Sequence, residues 1–328
     1  MFDIYFEEAY GKLYENLPNE TLEVFNYKSE LGHIRHIFIK RKIEQNVVPG
    51  DYYDLITPYG YGGPIIESLT DDIKKDDLVQ GFASEFTQYV EAENIVSEFI
   101  RFHPVLENAK DFDTIYNTEF NSHTVGTDLS YDDPFMDEFS KSARKNIRKL
   151  LSNEDISYEV VEHPTDLNAF MEIYYSTMDR NDAADRYYFS EEYFQQIVDT
   201  LSEYVVTISV YLEDKLIAMG LYFAYGDYLH AHLSGTLSEY LSYSPAYLLR
   251  YALMEYGKAN DYKFIHHGGG TTTDPKDGLL RFKQKFGKNT LFDFHLGKKI
   301  WNEEIYNALC EAWGKDKDTS FFPAYRAN

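Results

Sequence analysis

The chain has 328 residues and a formal net charge of −24, and 44% of its residues are hydrophobic. This length allows two domains that each bury a core, and the composition is typical of a soluble globular protein. The acidic excess argues against broad non-specific attraction to nucleic acid or anionic lipid, and no apolar window is long enough to span a bilayer.

The first part of the chain predicts strands, a glycine-rich loop, a helix and a further strand. Glycine and proline residues between positions 58 and 64 exclude regular structure there. Residues 76–93 repeat apolar side chains at the spacing of an amphipathic helix. Alternating or continuous apolar runs predict strands at 21–27, 32–43, 52–57 and 95–102.

A basic helix predicted at 135–151 links this part to a second set of elements. We expect helices at 165–178, 190–201 and 244–258, and strands at 156–161, 205–212, 215–224, 228–234 and 262–267. Ser190 and Ser244 are predicted helix caps, with Pro245 in the first helical position. Because strands alternate with helices, the fold class is mixed α/β (α+β). The predicted domains are 1–133 and 153–328, with a linking basic helix at 134–152.

The strongest functional signal is a triglycine turn followed by a basic, aromatic segment. An apolar run at 262–265 leads to Gly268, Gly269 and Gly270, and the segment 277–287 reads DGLLRFKQKFG. Glycines after a strand let backbone N–H groups approach a ligand closely. Lysine and arginine placed just beyond can neutralise an anion bound there. The pattern therefore predicts a site for a phosphate-bearing or carboxylate-bearing substrate.

Several motifs, taken in order along the chain, resemble the Fem family. They are YGYGGP at 59–64, EFIRFHP at 98–104, KNIRK at 145–149, SGT at 234–236, HGGGT at 267–271 and FKQKFG at 282–287. Fem proteins are aminoacyltransferases that build peptidoglycan cross-bridges, and some relatives are described as having a BioF2-like acetyltransferase domain. The resemblance covers nearly the whole chain and implies two tandem domains of the GNAT type (Gcn5-related N-acetyltransferase).

The resemblance also implies roles for residues. In the Fem family the Phe-Lys pair of the last motif lies in the active region, which corresponds here to Phe282 and Lys283. Residues 237–245 stand where ordinary GNAT enzymes carry a pyrophosphate-binding signature, which this chain lacks. The N-terminus of the helix at Ser244 can still hold a phosphate. We therefore expect donor binding at Gly268, Gly269, Gly270, Thr271, Arg281, Lys285 and Ser244, and acceptor binding at Tyr59, Tyr61, Arg101 and His103.

Acyl transfer to an amine needs a stabilised carbonyl oxygen and a path for protons. The N–H groups of residues 268–271, together with Lys283, are candidates for the first task. Tyr222, Tyr225, Tyr228 and His232 are candidates for the second, although a tyrosine in this chain is most often a core or rim residue.

The histidines and the single cysteine do not predict a metal centre. His266 and His267 are neighbours on a strand and point to opposite faces, so they do not easily share one ion. His230 and His232 lack a third ligand at a typical spacing. Cys310 lies among apolar helical positions and is expected to be a packed side chain. We predict no metal and no bound cofactor.

Three functions remain open from the sequence. The first is an N-acyltransferase that passes an acyl or aminoacyl group from acyl-CoA or aminoacyl-tRNA to an amine of a small molecule or cell-wall precursor. The second is aminoacyl-tRNA-dependent transfer to a peptidoglycan precursor, and the third is a non-catalytic ligand-binding relative. The acidic N-terminus without a basic leader and the lone cysteine predict a cytoplasmic protein.

Overall fold

A computed structural model describes residues 2–15, 18–316 and 319–327. The chain divides into two compact units. The central unit consists of residues 122–292 together with Asp3, and the terminal unit consists of Phe2, residues 4–121 and the segment that begins at Asp293. None of the helices in the described ranges is long and apolar enough to cross a membrane.

Helices and strands alternate along the chain, which confirms the mixed α/β class. The strands are β1 (Glu20–Ser29), β2 (Gly32–Lys42), β3 (Tyr53–Ile56), β4 (Ile65–Leu69), β5 (Ile95–Arg101), β6 (Asn117–Asp128), β7 (Ile156–Glu162), β8 (Val205–Leu212), β9 (Lys215–Tyr225), β10 (Tyr228–Thr236), β11 (Phe264–Gly268) and β12 (Leu291–Ile300). The α-helices are α1 (Glu8–Lys12), α2 (Lys75–Ala92), α3 (Pro134–Asp137), α4 (Lys141–Leu151), α5 (Asn168–Arg180), α6 (Glu191–Leu201), α7 (Ala246–Ala259), α8 (Gly278–Lys283) and α9 (Glu303–Ala312).

The terminal unit is a sheet with the strand order β1-β2-β3-β5-β12, and β4 pairs with β2. Strands β3 and β5 run parallel, whereas β12 runs antiparallel to β5. Helix α2 repeats an apolar residue every fourth position (Leu78, Phe82, Phe86 and Val90), and all four are buried in the core of the unit. A second cluster contains Leu309 and Cys310 of α9 beside Val96 of β5.

The central unit is a sheet with the order β6-β11-β10-β9-β8-β7. Strand β11 is parallel to β10 and antiparallel to β6, while the remaining neighbours are antiparallel. Ile147 of α4 and Leu253 of α7 join Ile208 of β8 in the core. Helix α5 packs on β9 and β10. The candidate site lies at the end of β11 and beside α7.

The structure corrects several local predictions. The basic helix predicted at 135–151 is interrupted, because Ser140 leaves helical geometry and its hydroxyl accepts the Ala143 N–H at 3.2 Å as the cap of α4. Ser244 does not cap α7: it adopts a left-handed conformation (φ 59°), and Pro245 occupies the cap position without a side-chain hydrogen bond. Strands β4, β6 and β12 and helix α8 were not predicted.

The compact units also differ from the predicted domain limits. The sequence assigned everything from 153 to 328 to the second domain, but the segment from Asp293 onward belongs to the terminal unit. The physical reason is that Leu296–Ile300 of β12 pair with Ser97–Arg101 of β5 and that α9 packs against the same strand. The predicted linking helix lies within the central unit.

Candidate functional site

The triglycine loop and Lys283 contact each other in the central unit. Strand β11 ends at Gly268, whose φ of 75° suits a residue without a Cβ atom. Lys283 is the last residue of α8, and its Nζ donates a hydrogen bond to the carbonyl oxygen of Gly269 at 2.7 Å. The ammonium group is therefore turned onto the loop rather than into solvent. Lys283 and the glycines, which the sequence assigns to one site, are therefore neighbours.

Asp277 fastens the residues after the loop to the start of α8. Its Oδ1 accepts the Leu280 N–H at 2.9 Å and so caps the helix. Its Oδ2 accepts the N–H and hydroxyl groups of Thr271 at 3.2 and 2.6 Å, and both groups of Thr272 at 3.2 Å. Burial favours the neutral carboxyl group, but these hydrogen bonds outweigh it and hold the pKa of Asp277 well below its usual range.

A chain of hydrogen bonds lies beneath the loop. Arg250 Nη1 is 3.4 Å from His267 Nδ1, and His267 Nε2 is 2.8 Å from Thr127 Oγ1. Because an arginine side chain has only donors, Nδ1 accepts and the imidazole proton lies on Nε2. Thr127 then donates its own hydroxyl proton to the Phe286 carbonyl at 2.7 Å. His267 is thus held neutral in one tautomer and orients Arg250.

The cluster contains two basic side chains, Arg250 and Lys283. Burial and the charge of Arg250 lower the pKa of Lys283 to about 7, although Asp277 opposes them. Burial, Arg250 and Lys283 push the pKa of His267 well below its usual range, which agrees with the neutral tautomer. Arg250 is only 7% exposed, and no carboxylate among the described residues forms an ion pair with it or with Lys283. The arrangement is suited to an anionic ligand.

Aromatic side chains form the rim of the cluster. The half-buried Phe282 ring lies edge-on to Tyr247, with 5.5 Å between the ring centroids. Lys285 Nζ is 2.9 Å from the Tyr247 hydroxyl, which keeps this second lysine near the start of α7. Arg281 is exposed. Ser244 is half-buried immediately before the helix. Their roles in donor binding stay predictions.

Two of the backbone N–H groups that the sequence offers as donors, those of Thr271 and Gly270, do not point towards Lys283. The N–H of Thr271 is already bonded to Asp277. The peptide bond between Gly269 and Gly270 is trans, so the Gly270 N–H points in the direction opposite to the Gly269 carbonyl. Because that carbonyl accepts from Lys283, the Gly270 N–H points away from Lys283. In this conformation Lys283 supplies positive charge next to the loop, and the role of the loop N–H groups stays a prediction.

The proposed proton carriers do not reach Lys283, whose one hydrogen bond among the described residues goes to Gly269. His232 lies 2.7 Å from the Tyr193 hydroxyl, and burial lowers its pKa to about 3. Burial raises the pKa of Tyr222 and the charge of Arg250 partly opposes this, so that the pKa is about 12. The Tyr222 hydroxyl is buried and makes no hydrogen bond within the described ranges. Tyr225 is buried and Tyr228 half-buried. The charge of Arg250 acts on Tyr222.

The predicted acceptor residues are brought together in the terminal unit. Arg101 Nε donates to the Gly60 carbonyl at 2.7 Å, and its guanidinium lies 5.7 Å from the Tyr61 ring centroid. His103 Nδ1 accepts the Leu106 N–H at 3.1 Å. Tyr61 is buried, which raises its pKa to about 12, whereas Tyr59 is 39% exposed. The two Arg101 contacts brace the glycine-rich loop, which gives Arg101 and Tyr61 a structural explanation, and acceptor binding stays a prediction.

Sequence reasoning missed two residues of the cluster, Arg250 and Asp277. Arg250 was detectable as the one charged residue on the buried side of α7, whose other buried positions include Leu248, Leu249, Ala252 and Leu253. Asp277 was detectable as an aspartate directly before a short apolar-basic run, the position of a helix cap. Neither signal shows which loop the side chain contacts.

Comparisons with known proteins match this part of the chain to a recognised domain. Residues 137–284 match the model of the acetyltransferase (GNAT) domain. The matched range includes Arg250, His267, the triglycine loop and Lys283. No curated protein sequence is significantly similar to the chain. The matched range lies within the central unit.

Solved structures share the fold over most of the chain. FemX superposes with a TM-score of 0.70 at 12% identity, covering 93% of this chain and 94% of that chain. L-PGS from Bacillus licheniformis gives 0.56 at 13% identity, covering 89% and 86%. The tandem GNAT protein from the clavulanic acid biosynthesis pathway gives 0.50 at 10% identity, covering 88% and 86%. The tandem GNAT-type fold implied by the Fem-like motifs is thus confirmed, and the roles of single residues stay predictions.

Proposed function

We propose that this chain, which carries a GNAT-type domain and has the fold of FemX, is an N-acyltransferase whose donor binds beside Arg250, Lys283 and the triglycine loop. The observation that supports this most is a pair of cations at the end of β11 with no carboxylate among the described residues in an ion pair with either. A buried arginine next to a half-buried lysine is unfavourable unless a ligand supplies negative charge.

The chemistry of transfer fits these side chains. The acceptor nitrogen attacks the donor carbonyl carbon, a C–N bond forms, and the carbonyl oxygen becomes negative. Lys283 in its ammonium form stabilises that oxygen or the anionic part of the donor. The intermediate then expels the leaving group, a thiolate or a ribose oxygen, which takes up the proton lost by the amine. A pKa of about 7 allows a bound anion to keep Lys283 protonated at neutral pH.

Transfer assays test this function directly. The purified protein is incubated with a panel of acyl-CoAs and aminoacyl-tRNAs and a panel of amines, and acylated amine is measured by mass spectrometry. We expect transfer by the wild type and a loss of about 100-fold or more in Lys283→Met, the size seen when one oxyanion donor is removed. Lys263→Met is the control, because Lys263 is exposed and pairs with Asp227 at 2.6 Å.

Two outcomes would contradict the proposal. Donor binding by the wild type without any transfer would favour the non-catalytic relative. Transfer that is equally fast in the Lys283→Met and Lys263→Met variants would remove Lys283 from the reaction.

Aminoacyl-tRNA-dependent transfer to a peptidoglycan precursor is the second candidate. Helix α4 presents Lys141, Lys145 and Lys149 as exposed side chains, and no carboxylate within the described ranges pairs with them. Such a row suits the phosphates of an RNA. Filter binding with charged tRNA over a salt series distinguishes the donors. Affinity that falls steeply with salt, and falls further when the three lysines are changed to glutamine, supports tRNA.

A further inference from the structure

The segment that carries Lys283 is held at two points. Lys283 itself contacts Gly269 at 2.7 Å, and fewer than ten residues before it Asp277 binds Thr271 and Thr272 just beyond the same glycines. Both contacts return the chain to the triglycine loop. Helix α8 is only 6 residues long, so it has little stability of its own and depends on these attachments for its place.

Asp277 packs tightly against Gly270 of the triglycine loop. A Cβ atom added to Gly270 would lie 2.5 Å from Asp277 Oδ1, closer than side chains can approach. Asp277 is 8% exposed and uses both carboxylate oxygens, one for the helix start and one for the two threonines. The carboxylate thus joins the loop and the helix in one fixed arrangement.

Asp277 is also the anionic group that acts on Lys283. Burial and Arg250 lower the pKa of Lys283, and the charge of Asp277 raises it. The carboxylate accepts hydrogen bonds from Thr271, Thr272 and the Leu280 N–H, and it makes none to Lys283. Asp277 therefore acts on Lys283 through its charge and through the position it gives α8, without a hydrogen bond to Lys283.

We propose that Asp277 is a positioning residue for acyl transfer, because its carboxylate clasps the Thr271–Thr272 bend to the start of α8 and so places Lys283 on the triglycine loop. This inference rests on the proposed function of Lys283. Asp277 touches neither donor nor acceptor in this role, and its effect on the rate passes through Lys283.

A double-mutant cycle tests the proposal. Asp277→Ser keeps a good helix cap but loses the clasp to the threonines. We expect it to lower kcat at least tenfold in wild-type protein and to cause no further loss in the Lys283→Met background. Ser190→Ala removes the cap of α6 in the same unit and is the control, with kcat unchanged. Equal losses from Asp277→Ser in both backgrounds would overturn the proposal.

A second readout needs no enzymatic activity. The pH dependence of Lys283 acetylation by an amine-reactive ester, followed by peptide mass spectrometry, reports the pKa of Lys283. Burial is the largest cause of the lowered pKa, so release from the loop raises it in Asp277→Ser, towards the ordinary lysine value. An unchanged pKa, or a fall caused by the lost charge alone, would contradict a positioning role. The Thr271→Val/Thr272→Val variant, which keeps Asp277 and its cap, is expected to shift the pKa in the same direction.

The transfer assay and the pKa measurement together distinguish failure of the proposed function from failure of the positioning role of Asp277. If the wild type transfers no acyl group, the proposed function fails while the pKa of Lys283 in Asp277→Ser still decides whether Asp277 places Lys283. If transfer occurs and the pKa does not move, Asp277 loses its role and the function stands.

Discussion

Among single residues, Lys283 departs strongly from the usual behaviour of a lysine. A lysine at an exposed position keeps its proton at neutral pH, but here burial and Arg250 lower the pKa to about 7. The side chain is not neutralised by an acid and instead donates to the Gly269 carbonyl. Such a group changes its charge readily when a ligand arrives, as expected for a residue that meets a developing or bound anion.

The lowered pKa predicts a specific dependence of stability on pH. Between the folded pKa of about 7 and the ordinary value of 10.5, the unfolded chain binds more protons at position 283 than the folded chain does. The contribution of Lys283 to the free energy of unfolding therefore rises as the pH rises through this window. Urea unfolding at several pH values should show the wild type gaining stability relative to Lys283→Met from pH 7 upward. The parallel comparison with Lys263→Met should show no such gain, and identical slopes for the two variants would contradict the assigned pKa.

The sequence could predict only part of the site at this scale. Lys283 and the glycines were found because they are close along the chain and chemically distinctive. Arg250 was not found, because its contact with His267 joins a helix to a strand and no spacing rule reports which helical face meets that strand. Asp277 shows a helix cap in its sequence position, but its four bonds to Thr271 and Thr272 depend on how the loop folds back.

Among the elements, the triglycine loop and α8 are packed together through Asp277. Substitution of a glycine in each tests this packing. Gly270→Ala places a Cβ atom 2.5 Å from Asp277 Oδ1, so we expect a loss of about 1–3 kcal/mol in the free energy of unfolding. Gly278→Ala is the matched control, because a Cβ atom there meets nothing within 4 Å and alanine favours the helix that begins at this residue. Thermal unfolding of the two variants measures the difference. Equal stability of both would show that Asp277 is not packed against Gly270.

Elements with clear local patterns were predicted well, and those that depend on tertiary contacts were not. Strand β8 was predicted at its observed limits, Val205–Leu212, since its apolar run ends at tight turns. Strand β6 is mostly polar in its first half and becomes buried only near its end, so its sequence carries no alternating signal. The break between α3 and α4 depends on the Ser140 cap, which a continuous apolar spacing conceals.

At the scale of the whole molecule, the last segment of the chain belongs with the first residues, and its removal tests this. Deletion from Glu303 to the C-terminus takes away the buried Leu309 and Cys310 and the Arg326 side chain that binds the buried Asp54. Hydrogen exchange should rise in β3 and β5 of the terminal unit and change little in β8 and β9 of the central unit. Faster exchange in β8 and β9 would instead support the domain limits predicted from the sequence.

The order of the motifs was enough to predict the tandem GNAT-type fold, because several short segments agree along nearly the whole length. The limits of the units could not be predicted in the same way. They depend on the pairing of β12 with β5, two strands that lie almost 200 residues apart in the chain. Pairings of such separation leave no trace in local periodicity.

The proposed function depends most on the place where the acyl donor binds. A crystal structure with a non-transferable analogue of whichever donor gives turnover would measure this directly. We predict that an oxygen of the analogue replaces the Gly269 carbonyl as the hydrogen-bond partner of Lys283 Nζ, with the anionic part of the donor beside Arg250. An analogue bound elsewhere, with Lys283 still on Gly269, would contradict the proposed role of Lys283.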